Sequence, residues 1–224
     1  PDETKSEALR SERTLDRSAR MDLQSMLKWA GFYEAGIDGA FGRGTRASMA
    51  AWQEANGFDV TGVMTTLQRA TLLKQYNAIL DGMGLEMVRD EGAGIEMAMP
   101  LGVVKFDRYE PPFGHYVAAG DLDAQVLTIS QSGDQSTLWG LYDILLEIVP
   151  TEGPRERKND SFVLIGEDGH IVSHTEAYLR GGMVKGFTLV WPAGDEERRR
   201  RVLGEMQASF ATFGEALDPA AGDN

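Results

Sequence analysis

The spacing of apolar residues along the chain changes once, from a helical period to a period of two. In residues 20–80 apolar side chains recur every three or four positions, which predicts amphipathic helices. A first helix starts near Arg20 and ends at Gly31, and a second runs over about 44–55. Thr65 or Thr66 is the expected N-cap of a third helix. The apolar stripe predicted for this third helix consists of Leu67, Ala70, Leu73 and Tyr76.

The second half of the chain alternates apolar and polar residues, which is typical of β-strands with one buried face. The alternation is clear in Phe187, Leu189 and Trp191. Two segments, about 137–148 and 195–213, return to helical spacing. Strands joined by short turns and interrupted by a few helices predict an antiparallel sheet covered by two helices. The predicted fold class is therefore α+β, with a small three-helix module in front of the sheet.

Glycine-rich stretches predict the division of the chain into domains. Asp81-Gly82-Met83-Gly84 and the run from Asp90 to Gly94 are rich in residues that interrupt regular structure. The predicted organisation is residues 1–19 as a charged linker or leading helix, 20–80 as a three-helix domain, 81–93 as a linker, 94–214 as an α+β domain and 215–224 as a flexible tail.

Charge and composition narrow the classes of partner. The net charge of −13 repels nucleic acid and anionic lipid, so no nucleic-acid partner is predicted. The basic run Arg198–Arg201 directly follows acidic residues 195–197, as on a solvated helix face. The chain has no cysteine, which excludes disulfides and thiolate metal sites. No apolar run reaches the roughly 20 residues that span a bilayer, so no membrane span is predicted.

The sequence begins at Pro1, without a methionine or a signal peptide. Such a start is typical of a trimmed chain. We therefore expect an export signal or a further domain, such as a hydrolase or protease, upstream of Pro1.

One ordered set of motifs lies within the helical segment. It consists of Leu23-Gln24, Gly31-Phe32-Tyr33, Asp38-Gly39-Ala40-Phe41-Gly42, Thr45-Arg46, Trp52-Gln53, Asn56-Gly57-Phe58 and Thr61-Gly62-Val63. This order and spacing resemble the bacterial peptidoglycan-binding domain family, a three-helix cell-wall module. The chain has Met64-Thr65-Thr66-Leu67 where many members of that family have Gly-Pro-x-Thr.

The resemblance implies a shallow groove beside the loop that enters the second helix, facing the stem peptide or glycan of peptidoglycan. In such a groove, backbone amides and one cation can hold a peptide carboxylate. Arg46 is the first candidate for this cation, and Arg43 is the second. The other candidate ligand contacts are the aromatic residues Phe32, Tyr33 and Phe41 and the polar residues Asp38 and Gln53.

Most of these residues also suit a purely structural role. Gly39 suits a backbone with positive φ, and Asp38 suits hydrogen bonds to nearby amides. Phe41 and Trp52 belong to residue types that are usually buried. Gln53 fits either role, so the motif predicts the fold more firmly than it predicts the ligand contacts.

The second domain carries a fainter resemblance. The order of its predicted strands and helices is similar to that of the fold family of the photosystem II extrinsic protein P. The residues that support this resemblance are Trp191-Pro192 before the last helix and Ser209-Phe210 within it. In that family an antiparallel sheet carries helices, and most members bind rather than catalyse. The resemblance implies a binding role for this domain.

The sequence predicts no catalytic residue, metal or cofactor. His170 and His174 lie four residues apart on a predicted strand, which separates them by roughly 13 Å, too far to share one zinc ion. The segment Ser130–Asp134 lacks the glycine pattern of a nucleophile turn. No phosphate-binding or dinucleotide-binding motif is present.

Together these observations predict a non-catalytic, two-domain protein or regulatory fragment of the bacterial cell envelope, located in the periplasm. Its helical module binds peptidoglycan, and its α+β domain presents a surface to a protein partner or to an upstream domain. Two alternatives remain open. In the first alternative, the α+β domain is itself a wall-active hydrolase or peptidase. In the second, the helical module has lost wall binding and serves protein docking.

Overall fold

The computed structural model describes residues 2–148 and 153–214. The predicted tail, 215–224, lies outside the described residues. The chain divides into two compact units, and the boundary falls between Ile79 and Leu80. The described secondary structure is helical in the first unit and mainly antiparallel β-sheet in the second, which confirms the α+β class.

The first unit contains four helices, α1 (Lys5–Arg13), α2 (Arg17–Trp29), α3 (Arg43–Ala55) and α4 (Thr66–Ala78). Three of them are the predicted helices. The fourth is α1, so the leading segment is a helix rather than a linker. Thr4 and Glu7 form a capping box at its start, and Ala8 is fully buried. Helix α2 begins earlier than predicted because the side chain of Asp16 caps it, accepting the amide of Ala19 at 2.8 Å.

The core of the first unit is formed by the inner faces of α2, α3 and α4 and by the segment just before α4. Its buried members include Leu23, Leu27, Met49, Trp52, Met64 and Leu72. The stripe predicted for α4 is wrong in part, because Leu67 and Leu73 are 56% and 47% exposed. Thr65 and Gln68 form a capping box that turns Gln68 inward, and Leu72 lies one turn further along that face.

The described residues of the second unit form two antiparallel sheets. The larger one has the strand order β3-β4-β5-β9-β8-β7-β6 and the smaller one the order β1-β2-β10. The strands are β1 (Leu85–Asp90), β2 (Ile95–Pro100), β3 (Val104–Glu110), β4 (Phe113–Ala118), β5 (Gln125–Ser132), β6 (Arg155–Lys158), β7 (Ser161–Glu167), β8 (Ile171–Arg180), β9 (Met183–Pro192) and β10 (Ala211–Thr212). Strand β1 falls within the segment predicted as a linker, because it pairs along its whole length with β2.

Two helices cover the faces of the larger sheet. Helix α5 (Gln135–Ile148) packs on one face, through a cluster that includes Leu138, Leu145, Phe162 and Leu164. Helix α6 (Glu196–Ser209) and the smaller sheet pack on the other face, with Phe187, Leu189, Trp191 and Met206 among the buried residues. The predicted helix over 195–213 is too long. The backbone becomes extended at Phe210, and β10 then pairs with β2.

Candidate functional site

The buried side-chain amide of Gln24 forms hydrogen bonds with the loop between α2 and α3 from the core side. Its Oε1 accepts the backbone N–H groups of Asp38 at 3.1 Å and Gly39 at 2.8 Å. Its Nε2 donates toward the Asp38 carboxylate and the Ala40 carbonyl, both at 3.1 Å, and lies 3.2 Å from the Tyr33 hydroxyl. Gln24 is fully buried, so one side chain from the core fixes the backbone of the Asp38–Gly39 turn.

Gln53 makes the same kind of contact with the loop between α3 and α4. Its Oε1 accepts the N–H groups of Thr61 and Gly62, each at 2.9 Å. Its Nε2 donates to the Val63 carbonyl at 3.0 Å and to the Gln68 side chain at 2.8 Å. Gln53 is also fully buried. Its amide contacts the protein itself and offers no surface to a ligand.

The two loops share a second feature, a glycine with positive φ packed against the preceding helix. Gly39 has φ +77°, and a Cβ there would lie 3.1 Å from the Arg17 carbonyl oxygen. Gly62 has φ +70°, and a Cβ there would lie 3.3 Å from the Arg46 carbonyl oxygen. In each helix, the buried glutamine follows that arginine by seven residues. The motif therefore contains one loop-fixing arrangement twice.

Asp38 lies at the surface of its loop. Its carboxylate accepts the Ala40 amide at 2.8 Å as well as the Gln24 side chain. These bonds, first that of Ala40 and then that of Gln24, lower the pKa of Asp38 below its usual value. The contacts match the turn-forming role that the sequence suggested as an alternative.

Arg46 is part of a salt bridge within the first unit. Its two terminal nitrogens lie 2.6 Å from the two carboxylate oxygens of Glu12 on α1. The Glu12 side chain is 7% exposed and that of Arg46 is 30% exposed. The Arg46 guanidinium also lies 5.5 Å from the ring centre of Phe41. The first candidate cation thus already has a bidentate carboxylate partner.

Arg43 is in a different situation. It is exposed at the first position of α3, and no hydrogen bond or ion pair joins it to any of the described residues. The N-cap of this helix is Gly42, which has no side chain to accept the first amides. A free cation and uncapped backbone N–H groups therefore occur together beside the Asp38–Gly39 turn.

The aromatic candidates divide between core and surface. Tyr33 is 6% exposed, and its hydroxyl donates to the Gly36 carbonyl at 2.7 Å. Phe32 and Phe41 are half-buried and pack against the core of the unit. Of the aromatic candidates, these two keep part of a ring at the surface.

Sequence reasoning missed two residues that shape this region. Gln24 belongs to the recognised motif, and its seven-residue spacing from Arg17, repeated in α3, was an available signal. Glu12 lies in a segment of mixed charge, where nothing local distinguishes it from its neighbours.

The histidines of the second unit do not converge on one site. His115 is on β4, His170 is exposed at the turn before β8, and His174 is buried on β8. His174 Nε2 lies 2.7 Å from the Glu176 carboxylate, which also accepts the Tyr178 hydroxyl at 2.7 Å. Burial alone would raise the pKa of Glu176, but hydrogen bonds from His174, Tyr178 and the Gln207 side chain lower it.

The described ranges, 2–148 and 153–214, contain neither a metal cluster nor a membrane-spanning helix. No group of three or more histidine or acidic side chains there is arranged to hold a metal ion. No helix in those ranges combines the length and the apolar character that crossing a membrane requires.

The first unit is a small module of short helices, with glycine turns fixed by buried amides and an exposed cation beside one turn. Comparison with known families finds a match for this segment. Residues 16–72 match the family described as "Putative peptidoglycan binding domain". The match supports cell-wall binding by this segment and association with the cell envelope.

Structural comparisons give more distant similarities. A protein from Bacteroides thetaiotaomicron is 14% identical with a TM-score of 0.39, and the alignment covers 59% of this chain and 50% of that one. The chain thus spans half the length of the Bacteroides protein. The cyanobacterial PsbP protein, CyanoP, of Synechocystis is 11% identical with a TM-score of 0.41, over 58% of this chain and 94% of that one. No curated protein matches the chain.

Proposed function

We propose that this chain is a periplasmic protein of the cell envelope that binds peptidoglycan through its helical unit and presents its α+β unit to a protein partner. The family match over residues 16–72 supports the first part of this proposal. In this arrangement the helical unit tethers the chain to the wall. The α+β unit then acts at the wall surface.

The observation that carries the proposed site is the exposed guanidinium of Arg43 at the uncapped start of α3. The first amides of a helix and a nearby arginine both attract a carboxylate. Stem peptides of peptidoglycan end in carboxylates, so this position suits their recognition. The Asp38–Gly39 turn and the half-buried ring of Phe41 lie just before Arg43 in the sequence, and the half-buried ring of Phe32 packs against the same core cluster as Phe41.

Arg46 has a structural role in this proposal. Its carboxylate partner, Glu12, comes from α1 within the same unit, so the guanidinium holds α1 against α3. The backbone N–H groups at the start of α4 have similar partners, because the Thr66 amide donates to the Glu3 carboxylate at 2.7 Å. Carboxylates of the leading segment thus already bind Arg46 and the start of α4, whereas none of them binds Arg43.

Pelleting with purified insoluble peptidoglycan tests the proposal. The wild-type chain is expected in the pellet. Loss of a charge-assisted hydrogen bond weakens binding by about tenfold or more, so Arg43→Ala needs correspondingly more peptidoglycan for half-maximal pelleting. Arg10→Ala, which removes an exposed arginine from α1, is the matched control and is expected to pellet like the wild type.

The outcomes separate the parts of the proposal. A wild-type chain that stays in the supernatant contradicts wall binding altogether. Equal pelleting of Arg43→Ala and the wild type leaves wall binding in place but excludes Arg43 as its anchor. If Arg46→Ala loses pelleting and Arg43→Ala does not, Arg46 rather than Arg43 is the cation that binds peptidoglycan.

A further inference from the structure

The second unit contains a cavity of about 390 Å³ at one end of the larger sheet. Its floor is the face of the sheet that also carries α6, and its wall is the segment that follows α6. Tyr178 on β8 and Lys185 on β9 are paired neighbours in the sheet, so their side chains point to the same face. Phe210 and Phe213, from the segment that follows α6, also line the cavity.

The polar lining of the cavity is cationic. Arg180 and Lys185 both contribute to it, and none of the described residues that line it is acidic. This is unusual in a chain with a net charge of −13. A concave surface lined by one sign of charge concentrates ligands of the opposite sign.

Lys185 supplies the deep charge. The residue is 4% exposed, and its ammonium lies against the backbone carbonyl oxygens of Ala93, Gly94 and Phe213. Burial lowers the pKa of Lys185, and the nearby carboxylate of Asp90 opposes this effect. A bound anion would stabilise the ammonium form in the same way that Asp90 does.

Arg180 supplies the charge at the mouth. It is exposed, and its guanidinium carbon lies 5.6 Å from the ring centre of Tyr178. No carboxylate in residues 2–148 or 153–214 forms a salt bridge with it. The planar guanidinium is therefore available to bind a carboxylate through two parallel hydrogen bonds.

Aromatic rings form the apolar side of the cavity. The Phe210 ring lies 6.0 Å from that of Tyr178 and 5.5 Å from that of the buried Phe187, so its position is fixed by packing. The Arg89 guanidinium lies 3.5 Å from the centre of the Phe213 ring and covers one of its faces. Aromatic rings and two cations that line one cavity suit a ligand with a ring at one end and an anionic group at the other.

We propose that this cavity binds a small aromatic carboxylate, with the carboxylate hydrogen-bonded by Arg180, attracted by the positive charge of the buried Lys185 ammonium, and the ring packed against Phe210 and Phe213. The site lies wholly within the second unit. It requires nothing of the peptidoglycan-binding unit, so the two proposals stand or fall separately.

Isothermal titration calorimetry of the full chain with 2-naphthoate tests this site. The uncharged analogue 2-naphthylmethanol, which has the same ring, serves as the matched ligand. We expect naphthoate to bind and the alcohol to bind at least tenfold more weakly, because it lacks the charged hydrogen-bond acceptor. Arg180→Gln is expected to weaken naphthoate binding by about tenfold, and Lys185→Met, which removes the second positive charge, to weaken it as well.

Arg157→Gln is the control variant. Arg157 also lies over an aromatic ring, 4.0 Å from the centre of Trp139, but on the side of the sheet covered by α5. It is expected to bind naphthoate like the wild type. Because Arg180 is exposed, Arg180→Gln is expected to fold. It therefore tests the proposal even if Lys185→Met does not fold. Absence of naphthoate binding, equal binding of the alcohol, or wild-type affinity in Arg180→Gln would each overturn the proposal.

Discussion

Replacing Gln53 with leucine tests whether this residue fixes a loop or contacts a ligand. Leucine fills a similar volume but cannot accept the amides of Thr61 and Gly62. The Val63 carbonyl and the Gln68 side chain each keep a second donor, at 2.9 Å and 3.2 Å respectively. Two backbone donors are thus left without partners. At about 1–3 kcal/mol for each buried unsatisfied group, the helical unit should lose about 2–6 kcal/mol of unfolding free energy.

Hydrogen exchange followed by mass spectrometry, measured on the full chain across a range of urea concentrations, reports on this unit separately from the second one. Peptides that contain Gly62 should lose protection first. Gln75→Leu is the matched control, because Gln75 is half-buried and bonds to the side chains of Trp52 and Asn56. We expect this control to cost about 1–3 kcal/mol, about half the loss of Gln53→Leu, because it leaves one buried donor, the Trp52 indole N–H, without its acceptor instead of two.

Equal losses in the two variants would refute the reasoning. So would a Gln53→Leu chain that is as stable as the wild type but no longer pellets with peptidoglycan. That second result would make Gln53 a ligand contact, as the resemblance to the family first implied.

Three further predictions concern glycine, burial and pH. Gly39→Ala should cost at least about 1–2 kcal/mol, and more than Gly57→Ala in urea unfolding, because both have positive φ but only at Gly39 would an added Cβ lie within 4 Å of other protein atoms; equal costs would contradict this. Leu72→Ala should cost about 2–5 kcal/mol and Leu73→Ala less than about 1 kcal/mol by the same assay, and the reverse order would contradict the observed face of α4. Since the pKa of Glu176 is lowered from 4.5, its stabilising effect is complete above pH 4.5 and is lost as the pH falls through the lowered value. The melting temperature of Glu176→Gln should therefore fall less between pH 5 and pH 3 than that of the wild type, and parallel curves would contradict this assignment.

Local signals predicted the helical unit well. The Asn56-Gly57 stop and the Thr65 cap fall where α3 ends and α4 begins. The burial of α4 was harder to predict, because leucines occupy positions 67, 72 and 73 and periodicity alone does not choose between them. The choice depends on Gln68, a polar residue that the capping box and Gln53 draw into the core.

The site chemistry was less predictable, because it depends on pairings distant in sequence. Arg46 and Glu12 are 34 residues apart, and nothing near either residue indicates that they meet. The end of α6 is a similar case. Its apolar spacing continues to Phe213, but β2 draws Ala211 and Thr212 into a sheet. Periodicity describes one element at a time, whereas these contacts join two.

The two buried glutamines, Gln24 and Gln53, fix the loop conformations of the module from its interior, whereas the proposed ligand contact, Arg43, lies at its surface. Gln24 and Gln53 fix their loops mainly through main-chain groups, and Arg43 takes no part in these hydrogen bonds. If Arg43 anchors the ligand as proposed, substitutions there change ligand binding without altering the conformation of the loops. Surface residues of the module can therefore vary during evolution while its loops keep their conformation. The buried side-chain amides of Gln24 and Gln53 hold those loops in place.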